Sequence, residues 1–459
     1  MPARNWRSFL LACVLPGCFF VTCASSEAVD FLTDEEMAVP AGRYQAGVNM
    51  YHTCRVDFDS PSARPELVWR SDPGMIEDVL LDDHDGIWYV DPTEGATENP
   101  SLCRLNIDQS VDWRKDLNPD SVLGELSVSI AGDIGLERRY TATPVIAMDG
   151  AVVVYIRTYL FVRQIDDEGD REPYNLAYLE CLDIEGNTRW RSEPISCYVG
   201  SDYRAWRVSG DRIAMVVTET TFNVYSLSSG ECLETVEVPG WSVFFNAGPM
   251  AMDDGGWIIY GEHPLRHTYH TYPYIYRIAA DGDEIWKAEY PVDTFGNSPS
   301  LDDDGVIVFG NYWGLRTIDT EDGTELWRWW GGNYRSCGVT PNGNYAVTVR
   351  AADETAFGLV DTNGDSVWFV QTAPVTGEDD TIIYRDGNIL IGNNDGLTLF
   401  NEEGGVIWRI EPDEYGVVEE SRTWSWKLNP CSDGSIIGVT RNPSPDASGE
   451  SIFCFKAEE

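Results

Sequence analysis

Positive charge is scarce in this chain, and lysine scarcer still. Against 76 Asp+Glu stand 32 Lys+Arg, a formal net charge of −44, and the lysines are Lys115, Lys287, Lys427 and Lys456 alone. A field of that sign repels nucleic acid and anionic lipid, and favours neutral or cationic partners. An acid-rich, lysine-poor balance reads either as a salty habitat, where screening shortens the Debye length to about 3 Å near 1 M salt, or as an ordinary acidic exported protein. There is no C-x-x-C, so no zinc ribbon or thioredoxin-type redox pair is expected. The G-x-S-x-G elbow, the H-E-x-x-H zinc motif and the phosphate loop are also missing, which removes the commonest hydrolase and nucleotide-binding readings. Beyond the N-terminus no run approaches the ~20 apolar residues of a membrane helix, so a membrane-spanning chain is not expected.

Residues 1–28 look like an export signal. Arg4 and Arg7 precede an apolar run over residues 9–21, and small residues suited to cleavage follow at 22–24 and 26–28. Simple secretion is the first reading, and a lipid anchor at Cys18 or Cys23 the alternative. Either way the mature protein is expected outside the cytoplasm, periplasmic or secreted. Of 11 cysteines, Cys13, Cys18 and Cys23 fall in or beside the signal. Of the remaining eight, several such as Cys181 and Cys454 sit in strand patterns where a buried free thiol is the plain expectation.

A hydrophobic content of 43%, with 12% aromatic, is ample for a packed core. That content is arranged as a repeat. Residues 298–332 hold one whole copy: a short run at 298–301, a β-rich run at 306–310 entered through Asp304-Gly305, another at 315–319, and a fourth at 325–330 after Asp322-Gly323. Each Asp-Gly supplies the residue with φ > 0 that a tight hairpin needs, so the copy reads as strands A to D of an antiparallel meander. The A–B signal recurs at Gly86, Gly150, Gly210, Gly255, Gly305, Gly343, Gly387 and Gly434. The C–D signal places a Gly four residues before Trp190, Trp286, Trp327, Trp368 and Trp408. Two copies are degenerate, with Gln109 for Gly before Trp113 and Glu234 for Trp after Gly230. The eighth copy, from about residue 426 to 456, lacks a D strand, while residues 66–70 resemble one with no A–C set before them. Pairing the two ends closes a ring and removes an exposed sheet edge. The expectation is an all-β, eight-bladed β-propeller of four-stranded antiparallel blades over residues 66–459, its last blade closed by an N-terminal strand. Residues 29–65 form an N-terminal extension expected to run over the outside of the ring.

The segments ADGDEIWKAEYP, EDGTELWRWWGG, TNGDSVWFVQT and EEGGVIWRIEP resemble the repeats of the pyrroloquinoline-quinone (PQQ)-type β-propellers, a group that includes quinoprotein dehydrogenases and the outer-membrane assembly lipoprotein of the β-barrel machinery. The resemblance covers roughly residues 66–459. It implies that the recurrent Trp docks between neighbouring blades, a role carried here onto Trp69, Trp113, Trp190, Trp286, Trp327, Trp368 and Trp408. A large side chain repeated at one strand position would fill the same gap in each blade interface.

Loop lengths separate the two faces of such a ring. A–B and C–D turns are short, and the expansions fall at 92–101, 164–175, 263–273 and 442–450 between B and C, and at 117–142 and 413–425 between D and A. Insertions gathered on one face mark the side free to diversify for recognition. Candidate ligand residues there are His263, His267 and His270, three of the five histidines, with the aromatics Tyr203, Trp206, Trp241, Trp424 and Trp426. Imidazoles could bind a transition metal only if the loop folded back on itself. Asp361, Asn363 and Asp365 mimic the start of a calcium loop but lack its Gly and Glu, so a hairpin turn is expected; Asp302, Asp303 and Asp304 likewise read as turn chemistry. No two cysteines are adjacent, unlike the pair that many quinoprotein dehydrogenases hold against their cofactor. No catalytic residue is assigned. The reading is a noncatalytic, monomeric extracytoplasmic scaffold binding an envelope or extracellular protein or a polysaccharide on its loop-rich face. A divergent quinoprotein dehydrogenase, with PQQ or Ca2+ as cofactor, and a secreted carbohydrate-active propeller are the alternatives.

Overall fold

The computed structural model describes residues 56–457 except for connecting stretches, the longest of them 92–99, 124–138, 162–172, 198–205, 239–248, 265–270, 290–298, 373–380, 416–424 and 442–449. Its strands form eight separate antiparallel sheets. Blade 1 consists of Val79–Leu81, Ile87–Asp91, Ser101–Leu105 and Val111–Asp116; blade 2 of Arg139–Met148, Ala151–Phe161 and Pro173–Asp183, with a D strand split into Thr188–Arg191 and Ile195–Cys197. Blade 3 holds Trp206–Ser209, Arg212–Val216, Thr221–Ser226 and Cys232–Glu237, and blade 4 Met250–Ala251, Trp257–Pro264, Thr271–Ile278 and Glu284–Glu289. Blade 5 is Ser300–Leu301, Val306–Asn311, Gly314–Asp319 and Glu325–Trp330, and blade 6 Asn333–Val339, Tyr345–Ala351, Glu354–Val360 and Ser366–Gln371. Blade 7 is Thr381–Ile383, Ile389–Asn393, Gly396–Phe400 and Val406–Ile410; blade 8 is Ser425–Pro430, Ile436–Arg441 and Glu450–Lys456, completed by Glu66–Gly74.

That completing strand closes the ring. Glu66 stands opposite Lys456, Leu67 opposite Phe455 and Arg70 opposite Phe453. A strands of neighbouring blades meet, as between blades 1 and 8, 3 and 4, and 5 and 6, so A edges surround the axis and D edges form the rim. The apolar core is divided among the seams. Ile382, Leu399, Trp426 and Phe453 pack between blades 7 and 8, for example, and Trp69, Leu81, Cys103 and Ile437 between blades 8 and 1. The architecture is thus that of a repeat protein, each copy burying its faces only against its neighbours.

The D-strand Trp knits those seams by a recurring contact. The indole N–H of Trp190, Trp286, Trp327 and Trp368 donates to a carbonyl in the C–D turn of the following blade, at Leu227 (2.9 Å), Thr320 (2.9 Å), Thr362 (2.8 Å) and Glu402 (2.7 Å). The ring lies flat on the glycine of that turn. A Cβ at Gly364 (φ 83°) would stand 2.8 Å from Trp327, and one at Gly404 (φ 81°) 2.7 Å from Trp368. Each glycine therefore answers two demands, a left-handed backbone and a surface an indole can cover. Where blade 3 carries Glu234 instead, Trp257 fills the seam from blade 4, edge-on to Phe222 at 5.1 Å.

In every blade the C–D pairing slips by one residue immediately before the docking position, as between Leu67 and Trp69 in blade 8 and between Glu325 and Trp327 in blade 5. The bulged residue is turned outward, which explains why Val68, Leu326 and Val367 are 57%, 48% and 47% exposed. A bulge also twists an edge strand away from new partners.

Residues 56–65 follow a route the sequence does not predict. They cross the turn face beneath blade 7 rather than the outside of the ring: Val56 is buried and its N–H donates to Ile383 O at 2.9 Å, Arg385 pairs with Asp59 at 3.0 Å, and Ser60 Oγ donates to Asp386 at 2.7 Å. The strap then takes the place of the C–D turn that blade 8 lacks, because Trp408 Nε1 donates to Pro61 O at 3.3 Å.

Candidate binding face

The B–C ends of the blades differ in height. The B and C strands of blade 2 run 11 residues each and stay in register out to Phe161 opposite Pro173, while those of blade 7 run five. At about 3.3 Å per residue, the extra length lifts blade 2 by about 20 Å. The A strand of blade 2, ten residues long, and its second D piece Ile195–Cys197, opposite residues 175–177, rise with it. Ser192 bridges the break in that D strand: its N–H donates to Leu179 O and its Oγ accepts from Leu179 N, both at 2.9 Å. Blade 4 carries a lesser ribbon, eight residues per strand, with Pro264 opposite Thr271.

Between these two walls lies blade 3, whose B–C connection is a tight turn. Val217 N–H and Thr218 N–H both donate to Thr221 O, at 2.9 and 3.1 Å. The turn presents hydroxyls: Thr218 Oγ1 lies 2.7 Å from Thr221 Oγ1 and 3.5 Å from Thr220 Oγ1. The turn also contains Glu219, so the floor of the trough between the two β-walls is polar and suited to hydrogen-bonding an elongated chain.

Of the candidate residues, His263 stands in the B strand of blade 4, opposite Tyr272 in the C strand. Positions 263–264 and 271–273 of the segment 263–273, read as a loop in the sequence, are therefore ribbon. Only 265–270, with His267 and His270, lies outside the described residues, as do Tyr203, Trp241 and Trp424. In the chain, Tyr203 comes just before and Trp241 just after the strands of blade 3, and His267 and His270 fall between the B and C strands of blade 4. Trp424 immediately precedes the A strand of blade 8, across the ring. Trp426 is not an exposed aromatic: it is 1% exposed, its Nε1 donates to Asn393 O at 3.2 Å, and its ring presses on Gly392 and Gly438. The backbone of Trp206 forms the first position of the blade 3 A strand.

Three aspartates of the turn face, Asp361, Asp302 and Asp82, are committed to structure. Asp361 Oδ1 accepts from Asn363 N and Asp365 N at 2.9 and 2.8 Å, so this triplet caps a turn. Asp302 Oδ1 accepts from Asp304 N and Val306 N, at 3.0 and 2.7 Å, and Oδ2 from Tyr345 Oη of blade 6 at 2.7 Å; burial pushes its carboxyl above the usual range despite these donors. In blade 1 burial likewise pushes Asp82 up, but Arg104 Nε (2.8 Å), Gly86 N (2.7 Å) and Trp88 Nε1 (2.8 Å) outweigh it and hold the carboxyl below the usual range. Burial raises the thiols of Cys181 to about 11 and Cys454 to about 12, which leaves them protonated packing groups.

Among the described residues no three His, Cys, Asp or Glu side chains converge to hold a cation, and no two cysteines are adjacent in the sequence.

Residues 274–422, from the C strand of blade 4 past the D strand of blade 7, match the family described as outer membrane protein assembly factor BamB. No curated protein matches the chain. Among solved structures, it is similar to a europium-containing methanol dehydrogenase at 11% identity and a TM-score of 0.56, with 91% of this chain and 98% of that one covered. It is also similar to BamB from Moraxella catarrhalis (14% identity, TM-score 0.46, 86% of this chain and 100% of that one). A third is quinohemoprotein alcohol dehydrogenase from Comamonas testosteroni (10% identity, TM-score 0.41, 91% and 81%). At such identities the likeness extends to the fold and not to the chemistry.

Proposed function

We propose that this chain, a β-propeller of PQQ-like repeats, is a noncatalytic extracytoplasmic scaffold that holds an elongated ligand, a protein segment or a polysaccharide, in the trough above blade 3. The observation that carries the reading is the pair of ribbons on blades 2 and 4 standing over the short turn of blade 3. A reaction centre needs ionisable groups poised in a cleft. Here the perturbed carboxyls of Asp82 and Asp302 are tied to turns and seams instead. The repeat is otherwise intact, so the fold serves as a rigid frame and the loop-rich face varies, the usual division of labour between scaffold and loops.

The tips of the ribbons can be removed without touching the seams, by replacing residues 160–174 and 264–271 with two-residue Asn-Gly turns, which leaves strands of nine and seven residues. Capture of components from an envelope extract, and binding to a panel of soluble polysaccharides, should fall at least tenfold while the melting temperature holds. The pair Trp241→Ala and His267→Ala should act in the same direction, and Trp424→Ala, across the ring, should not. Unchanged capture by the folded, shortened protein would remove the trough as the binding site. Dye-linked alcohol oxidation after addition of PQQ with Ca2+ or a lanthanide would instead make the protein an enzyme.

A further inference from the structure

The D strands at the rim of the ring share a charge pattern that blade 5 follows only in part. One residue after the docking position stands Arg70, Arg114, Arg191, Lys287, Arg328 or Arg409 in six blades. Two residues beyond that comes an acid in six blades, Asp72, Asp116, Glu193, Glu237, Glu289 or Glu411. Residues two apart in an extended chain share a face, and in blades 7 and 1 the two charges meet. Arg409 Nε lies 3.0 Å from Glu411, and Arg114 Nε 3.8 Å from Asp116. Alternating charge of this kind, added to the bulge, discourages a foreign strand from pairing with the rim.

Blade 5 has Arg328 but puts Trp330 where the acid belongs. Trp330 is 55% exposed, the guanidinium of Arg328 lies 4.6 Å from its ring centroid, and that of Arg316 lies 5.1 Å away. Glu325 approaches both arginines, at 3.3 and 3.0 Å, which leaves the group with one net positive charge on a chain of −44. Beyond the bulge, residues 327–330 pair regularly with 314–317. The D strand ends the four-strand order of its sheet, so its outer edge is unpaired among the described residues.

We infer that the D-strand edge of blade 5 accepts an extended acidic segment of a partner protein as a fifth strand. The incoming main chain pairs with residues 327–330, a carboxylate settles beside Arg328 where six other blades carry their own acid, and an apolar side chain two residues along covers Trp330. Added strands gain affinity from main-chain hydrogen bonds and specificity from alternate side chains, and cross-strand partners stand about 5 Å apart. This site is on the rim, away from the trough, and does not depend on the reading of the loop face.

The probe is a fluorescein-labelled heptapeptide, Thr-Thr-Asp-Thr-Phe-Thr-Thr, followed by fluorescence anisotropy at about 0.1 M salt, where surface charges still act over about 10 Å. The protein should bind it. Replacing Asp by Lys, or the Thr between Asp and Phe by Pro, should weaken binding at least tenfold, because Pro cannot donate to a ladder. Trp330→Glu restores the acid that six other blades carry at this position; it should keep the melting temperature and lose the peptide. Should that variant fail to fold, Arg328→Gln is the substitute, with the same loss expected. Trp241→Ala with His267→Ala should leave peptide binding unchanged. No binding by the unaltered protein, equal binding by Trp330→Glu, or equal binding of the Pro peptide would overturn the inference. So would displacement of the peptide by oligogalacturonate as readily as by unlabelled peptide, which would make the patch a sugar-acid site.

Discussion

Two buried aspartates with similar turn positions titrate in opposite directions, and the difference lies in what faces them. Asp82 meets a guanidinium, both side chains being less than a tenth exposed, whereas Asp302 meets only a phenol and two backbone N–H groups. Asp82 therefore has a depressed carboxyl pKa in the folded state. Its contribution to stability is present above the ordinary value of 3.8 and is lost as the pH falls through the lower, folded value. Asp302 has the opposite sign: its folded pKa is raised, so the cost of burying the carboxylate grows as the pH rises from 3.8 through the folded value and is complete above it. Asp82→Asn should thus destabilise at pH 7 by about 3 kcal/mol, since it removes one partner of a buried ion pair. Asp302→Asn should leave the melting temperature at pH 7 equal or higher, its Oδ1 keeping the backbone donors and its Nδ2 donating to Tyr345. Urea titrations at pH 7 and pH 3.5 check both, and the signs would be wrong if Asp302→Asn lost as much as Asp82→Asn at pH 7. Neither role was legible in the sequence, where Asp302 reads only as a turn acid and Asp82 carries no assignment. Arg104 lies 22 positions from Asp82 and Tyr345 lies 43 from Asp302, and pairing across a hairpin or a seam fixes each meeting.

At the scale of the element, the hairpin signals carried most of the fold. Asp-Gly and Asn-Gly steps announced where strands turn, and the Trp four residues after a Gly announced the D strand, because one backbone demand recurs in each copy. Glycines of two turns can stand in different surroundings, however, and this could not be seen before the blades were set beside one another. Gly343, in an A–B turn, has φ 79° and a Cβ there would meet its nearest atom, Thr362 Cγ2, at 3.7 Å. Gly364, in a C–D turn, adds the indole of Trp327 at 2.8 Å. Gly343→Ala should cost about 1–2 kcal/mol, the price of a left-handed backbone with a Cβ. Gly364→Ala should cost at least about 2 kcal/mol more, because Trp327 must lift and leave its N–H and the Thr362 carbonyl apart. Equal losses in urea unfolding would mean that the indole yields freely and that the glycine serves the turn alone. The bulge before each Trp was equally hidden, since a slip of one residue in pairing leaves no mark on composition. The departure at Trp330, by contrast, was legible in principle: it shows once the eight copies are aligned on their docking position and compared three residues on.

Closure of the whole ring rests on the chain's two ends, and the sequence disclosed only half of the device. Residues 66–70 carry a D-strand pattern and so announced their place in blade 8, but residues 56–65 carry no repeat, and their course under blade 7 follows from a vacancy that only the ring defines. Blade 8 takes its C and D strands from opposite ends of the chain and therefore has no C–D turn to receive the indole of Trp408; Pro61 offers the carbonyl in its place. The strap is held further by Val56 in the seam core, by Phe58 edge-on to Tyr384 at 6.0 Å, and by Arg64, which donates to Arg409 O at 2.6 Å and pairs with Glu414. Removing it would expose a buried Val, about 1.5–3 kcal/mol, and leave a buried indole N–H without its acceptor, about 1–3 kcal/mol. Exposed pairs such as Arg385 with Asp59 add little. A chain beginning at Val56 should accordingly melt with the full-length protein, since every described contact of the strap survives. One beginning at Glu66 should melt lower by about 5 °C, the order expected for a few kcal/mol in a chain of this size. One beginning at Val79 should go further: without Glu66–Gly74 the edge of Glu450–Lys456, with Ile452, Phe453 and Phe455 behind it, is left open to pairing with other copies. Light scattering during a thermal ramp separates the three. If the chain from Glu66 melted with the one from Val56, the strap would be a passenger and ring closure would rest on the blade 8 pairing alone.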